Sequence, residues 1–161
     1  GHIAIVKMLF EKGAEVNLQD TFGATALTFA AVYGHVGIVN MLLERGANVD
    51  NRIRTGDTIL MDAGFRGRVA VVRTLLESNA NVDLQNNKES TALILAADKD
   101  HVGSVKLLLK HDAYINSQDV HGNTALMIAS RNGYGRIVHI LKKEKSSNND
   151  MLSSKFEKGM K

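Results

Sequence analysis

The stretch Gly23-Ala24-Thr25-Ala26-Leu27-Thr28-Phe29-Ala30-Ala31-Val32-Tyr33-Gly34-His35 decides the fold, because the chain writes its pattern four times at one interval. Asp20, Ile53, Asn86 and Asp119 open the four copies, 33 residues apart. Thr25, Thr58, Thr91 and Thr124 hold one slot without exception. Leu27, Leu60, Leu93 and Leu126 hold a second, and Ala30, Ala63, Ala96 and Ala129 a third. Further along each copy, Val39, Val72, Val105 and Val138 precede Leu42, Leu75, Leu108 and Leu141. A period of this length marks stacked supersecondary units that bury their apolar faces only against one another.

Inside each unit the apolar spacing is helical. Leu27, Ala30 and Ala31 share one face of a short helix that starts near Thr25, whose hydroxyl is placed to satisfy free amides at the helix start. A second helix runs from about Val36 to Arg45, with Ile38, Val39, Leu42 and Leu43 inward and Asn40, Glu44 and Arg45 outward. The alanines and Gly64 form a small-residue layer that implies close approach between neighbouring helices. Gly34, Gly67 and Gly133 lie between the two helices, where a left-handed backbone costs glycine little. Asp100 fills the third such slot and is expected to be strained. After the second helix, Ala47-Asn48-Val49-Asp50 is echoed by Ala80-Asn81-Val82-Asp83 and Ala113-Tyr114-Ile115-Asn116, each leading into a turn. The expectation is an all-α helix-turn-helix solenoid with short hairpin-like turns between repeats. Its divisions are residues 1–19, the later part of a truncated repeat; 20–52, 53–85 and 86–118, full repeats; 119–145, a degenerate or terminal repeat; and 146–161, a linker with a possible short helix.

These motifs resemble the ankyrin repeat. The family's Gly, spacer, Thr, Pro, Leu, His, then Ala-Ala and Gly-His, stands here as Gly23-Ala24-Thr25-Ala26-Leu27-Thr28, Ala30-Ala31 and Gly34-His35. It recurs as Gly56-Asp57-Thr58-Ile59-Leu60-Met61 and Gly122-Asn123-Thr124-Ala125-Leu126-Met127, and more loosely as Glu89-Ser90-Thr91-Ala92-Leu93-Ile94. The closing motif is Leu42-Leu43-Glu44-Arg45-Gly46-Ala47, degraded in Leu108-Leu109-Lys110-His111-Asp112-Ala113. The resemblance covers residues 1–145, with Gly1-His2 aligned to Gly34-His35. Two departures stand out. The family's Pro is replaced by Ala26, Ile59, Ala92 and Ala125, and its His by Thr28, Met61, Ile94 and Met127. The hydrogen bonding of that His to the Thr turn is therefore lost, and the helix starts are expected to be set less rigidly.

Composition narrows the function. The formal charge of +3 sits in the tail, where six Lys from Lys142 to Lys161 face Glu144, Asp150 and Glu157, leaving the body with 14 basic and 14 acidic side chains. A balanced body is a poor nucleic-acid ligand, which calls for a concentrated basic face. No apolar run approaches the ~20 residues of a membrane span, so no membrane insertion is expected. The absence of Cys excludes disulfides and fits a reducing compartment, cytoplasmic or nuclear. Gly1 opens the chain with neither an initiator Met nor an apolar leader, and the sequence is expected to be a piece of a longer polypeptide with further repeats upstream, or one that associates end to end.

Chemistry is sparse. His2, His35 and His101 recur at one point of the repeat, spread along the solenoid, and are assigned to the inter-helix turn, where a ring nitrogen would bind backbone. Gly133-Tyr134-Gly135 lacks a nucleotide-binding frame, and no Ser stands in a GxSxG elbow. Asp62, in the slot of Phe29, Leu95 and Ile128, reads as a buried carboxylate paired with Arg66, Arg54 or Arg52, the alternative being a specific interaction with a basic residue of a partner. No catalytic residue, metal, cofactor or small-molecule substrate is expected.

What the resemblance implies is a non-enzymatic scaffold or adaptor whose working face combines the turn tips with the exposed side of each first helix. Carried onto this chain, that face contains Phe22, Tyr33, Arg54, Phe65, Arg66, Lys88, Lys99 and Arg131 as protein-binding residues. Phe22, Tyr33 and Phe65 are expected to serve as its apolar anchor, and the partner is a protein or peptide segment, acidic if the basic groups set its chemistry. The alternatives are a structural or regulatory array inside a larger multidomain protein and, less favoured, nucleic-acid binding.

Overall fold

A computed structural model describes the backbone of residues 1–158 and the side chains of residues 1–146. Among the described residues nine helices follow in order: α1 (Ile3–Glu11), α2 (Ala26–Val32), α3 (Val36–Glu44), α4 (Ile59–Phe65), α5 (Val69–Glu77), α6 (Ala92–Asp98), α7 (Val102–Lys110), α8 (Ala125–Arg131) and α9 (Gly135–Lys158). No strand forms among them, and the turn ahead of α4 closes through an isolated antiparallel bridge between Arg52 and Thr58. The architecture is an all-α repeat solenoid.

The four short helices start where the threonines place them. Each Thr has extended backbone and its hydroxyl accepts the amide three residues on, from Thr28, Met61, Ile94 and Met127 at 3.3–3.4 Å. The expected loosening of these starts needs correction at two of the four. The Thr28 hydroxyl accepts the Thr25 amide at 3.1 Å, and the Met61 thioether accepts the Thr58 amide at 3.4 Å, so residues standing in for the family's His close a capping box.

Each short helix then ends in a left-handed residue and reverses. Amides of His35, Arg68, His101 and Tyr134 donate to carbonyls of Ala30, Ala63, Ala96 and Ala129 at 2.8–3.0 Å, closing the same turn four times. Asp100 adopts φ 56° there, a conformation that costs a side-chain-bearing residue energy, as expected. The histidines follow the expectation only at His35, whose Nε2 lies 3.0 Å from the backbone amine of Gly1. Neither His2, His35 nor His101 makes a side-chain bond that caps its helix; the His101 ring instead lies against the bare Cα of Gly67 in the preceding turn, and the His35 ring against Gly1.

The longer helices α3, α5 and α7 stop at Gly46, Asn79 and Asp112, all left-handed. In α9 the equivalent slot is Lys145, and the helix runs unbroken to Lys158. The segment Ser146–Asp150 is thus helical rather than a linker, because Lys142-Lys143-Glu144-Lys145 are good helix formers and none of them takes the left-handed turn. The side chains of Met151, Leu152 and Phe156 lie outside the described residues.

The core lies between the short and long helices. Leu27, Leu60 and Leu93 meet Val39, Val72, Val105 and Ile137, with Leu42, Leu75, Leu108 and Leu141 behind them, all essentially solvent-free. Ser104 intrudes. It takes the slot of Ile38, Val71 and Ile137, is fully buried, and its hydroxyl has no hydrogen-bond partner among the described residues. An unpaired buried hydroxyl costs stability. Ser104→Ala is expected to raise the urea midpoint, by about 1 kcal/mol of unfolding free energy, and Asp100→Gly to raise it by a smaller amount; a lower midpoint for Ser104→Ala would show that the hydroxyl contributes to packing.

Candidate functional site

The turns between repeats form a row of projecting fingers. In three of the four, the first residue ties the finger with its own side chain: Asp20 accepts the amides of Phe22 and Ala24 at 2.8 and 2.9 Å, Asn86 those of Lys88 and Ser90 at 2.9 and 3.0 Å, and Asp119 those of His121 and Asn123 at 2.9 and 2.8 Å. Ile53 has no such acceptor, and its finger is held by backbone bonds from Ile53 to Asp57 and from Gly56 to Ile53. Neighbouring fingers are stitched by backbone bonds from Arg54 to Phe22, Asn87 to Thr55 and Val120 to Lys88, at 2.9–3.1 Å.

Between the fingers and the exposed side of the short helices runs a trough. One hollow in it, about 510 Å³, lies between the second and third fingers and is lined by Arg54, Asp57, Asp62, Phe65, Lys88 and Leu95 with their neighbours. A smaller hollow of about 150 Å³ adjoins it, shares Asp57 and Asp62, and is bordered by Val32 and Arg66. The trough thus has an apolar floor, Phe65 and Leu95, and a charged rim.

Arg54, Phe65 and Lys88 are brought together around the main hollow. Arg66 borders the adjoining one, its Nε donating to both carboxylate oxygens of Asp62 at 3.0 and 2.8 Å. Asp62 is half-buried rather than buried; of the three expected partners Arg66 takes it, while Arg52 donates to the Gln85 carbonyl and Arg54 to that of Thr21. Phe22 lies under the Arg54 guanidinium, 5.5 Å from its ring centroid. Lys99 stands 5.0 Å over the Phe65 ring and 2.9 Å from the Asp98 carboxylate, whose hydrogen bond and charge hold the ammonium above its ordinary pKa. Arg131 sits by the last finger, donating to Asn123 at 2.5 Å.

Tyr33 does not join them. It is 65% exposed, stacks on His35 at 6.2 Å, and lines a separate apolar hollow of about 430 Å³ with Val6, Leu9, Phe10, Phe29 and Leu42. Phe22, Tyr33 and Phe65 are therefore not one continuous anchor, because Tyr33 lies at the α1 side of α2 whereas Phe65 faces α6. Leu95, which the sequence reading left out of the working face, forms part of the trough floor. Its slot, 33 residues beyond Asp62, was visible in the repeat, but its exposure depended on how far the third finger stands off α6.

Among the described residues no group of three His, Asp or Glu could hold a metal ion, and no helix is long and apolar enough to cross a membrane. A row of hydrogen-bonded fingers over a stack of capped helices, with an open trough between them, defines a helical-repeat module. The family model for ankyrin repeats, three copies long, matches residues 1–86 and again 78–151, and the chain belongs to the ankyrin repeat family. Ankyrin repeats are generally protein–protein interaction modules, and the family is typically non-enzymatic. No curated protein matches the chain.

Asp119 offers a pH test of the finger architecture. Burial would raise its carboxyl, but hydrogen bonds from Asn123 and His121 outweigh burial and hold it below the ordinary carboxylate value. A carboxyl lowered in the folded state stabilises above its unfolded pKa, and that contribution disappears as pH falls through the folded value. Asp119→Ala is expected to be less stable than the parent at neutral pH, with the gap narrowing as urea titrations move below the carboxylate range. A gap independent of pH would mean the charge contributes nothing.

Proposed function

We propose that the chain is a non-enzymatic scaffold or adaptor that binds a protein segment along the trough between its fingers and short helices. The observation that carries this reading is the main hollow, where Phe65 and Leu95 form an apolar floor within reach of Arg54 and Lys88 on a frame already ordered by backbone hydrogen bonds. Docking to such a surface costs little chain entropy, so most of the contact energy is left for affinity. The partner is a protein or peptide segment, met by a rim that carries both cations and carboxylates. A second reading, a structural or regulatory array inside a larger multidomain protein, is favoured by the hollow at Tyr33, since α1 has no buried residue and leaves Ile5, Met8 and Leu9 exposed.

Recovery of partners from extract with the parent chain, a Phe65→Ala/Leu95→Ala variant and a Tyr33→Ala variant separates the two surfaces, with circular dichroism establishing that each variant is folded. Retention by Tyr33→Ala and loss by the trough variant is expected, at a cost of about 2 kcal/mol or more for an anchoring pair. The reverse pattern would move the interface to the hollow beside α1 and overturn the trough reading.

A further inference from the structure

The formal charge around the trough is almost balanced, which by itself predicts no preference for a charged partner. The hydrogen bonds already made are not evenly shared. Asp57 receives the Asn86 amide at 2.6 Å on one oxygen and the Thr55 hydroxyl on the other. Both oxygens of Asp62 receive Arg66 Nε. Asp98 receives Lys99 at 2.9 Å and Asn132 at 3.4 Å. Each of these carboxylates is thus already served by donors of the chain itself.

The cations are not matched in the same way. Lys88, on the rim of the main hollow, has an ammonium with no hydrogen bond or ion pair among the described residues. Arg54 places one terminal nitrogen on the Thr21 carbonyl at 2.9 Å, and Arg66 uses only Nε. A guanidinium carries five N–H donors, so both arginines keep donors for a ligand. Glu89 follows Lys88 on the same finger, does not line the trough, and weakens the local positive potential without removing the free donors.

We infer that the trough recognises an acidic segment of a partner protein, one that sets an apolar side chain on Phe65 and Leu95 and carboxylates against Lys88 and Arg54. The inference rests on the protein-binding reading above and adds the partner's chemistry. A basic or neutral segment would meet carboxylates that each already accept hydrogen bonds from the chain and would leave Lys88 unmatched, whereas an acidic one reaches a cation that has no partner among the described residues. Because these cations are exposed, the attraction is screened by salt and acts most strongly on encounter.

The test is selection of binders to the whole chain from a random-sequence peptide library, followed by titration of a selected peptide by fluorescence anisotropy. Enrichment of Asp and Glu flanking a Leu, Ile or Phe is expected. Lys88→Glu should weaken the selected peptide by about tenfold, Glu89→Gln should strengthen it, and Lys106→Glu, the same charge change on α7, should stay within about twofold of the parent. Rising salt should weaken binding. Selected peptides that are neutral or basic, yet lose affinity with Phe65→Ala, would overturn the acidic preference while leaving the trough as a protein-binding site. Peptides indifferent to both Phe65→Ala and Lys88→Glu would overturn both readings. Equal losses from Lys88→Glu and Lys106→Glu, or an empty selection, would overturn the acidic preference.

Discussion

The distance between neighbouring short helices governs the rest of this molecule, and it is set by a layer of residues with almost no side chain. Ala30, Ala63, Ala96 and Ala129 are buried at one height of α2, α4, α6 and α8. Gly64 faces the Ala92 carbonyl and the Ala96 methyl so closely that a methyl added to it would already be tight against that carbonyl. This close approach brings each finger within backbone hydrogen-bonding distance of the next. The bonds from Arg54 to Phe22, Asn87 to Thr55 and Val120 to Lys88 then lock the spacing. A bulkier layer would separate the fingers and widen the trough, since packed interiors transmit such changes rather than absorb them.

A second ladder runs behind the first. Asn17, Asp50 and Asp83 each accept the backbone amide of the residue 31 positions later, from Asn48, Asn81 and Tyr114, at 2.8–3.0 Å. Stability along the stack therefore comes from nearest-neighbour terms, apolar on the inside and hydrogen-bonded at the turns. The described ion pairs, Asp62 with Arg66 and Asp98 with Lys99, sit on the exposed side of the short helices. Exposed pairs contribute little to stability. Each pairs one cation of the trough with one carboxylate, so together they leave its net charge unchanged.

This separation explains how an interaction module keeps its fold while its face differs from repeat to repeat. The Thr, Leu and Ala slots hold one residue type throughout, because caps, core and close approach each demand it. The slot occupied in turn by Phe29, Asp62, Leu95 and Ile128 is free to vary, since it faces outward from the short helix. Chemistry at that slot and on the finger tips distinguishes one junction from another.

The sequence by itself determined the period, the helical units and the family, because a cap, an apolar spacing and a left-handed turn are local features that repeat wherever the same residues do. It also placed Arg54, Phe65 and Lys88 on one face, through the resemblance of the turn tips and the exposed side of each first helix to the working face of the family. What only the tertiary structure decided were relations between units and substitutions inside a slot. Met61 and Thr28 restore a cap that the missing His would have made, which depends on where a flexible side chain comes to rest. Tyr33 stands apart from Phe65 because it stacks on His35 over a different hollow. Lys145 lets α9 continue where α1, α3, α5 and α7 stop. Above all, the unpartnered ammonium of Lys88 and the bonds already made to Asp57 and Asp62 follow from which donors the packed repeats bring within bonding distance. A count of charges along the chain carries no such information, because electrostatic recognition depends on the groups that folding leaves unpaired.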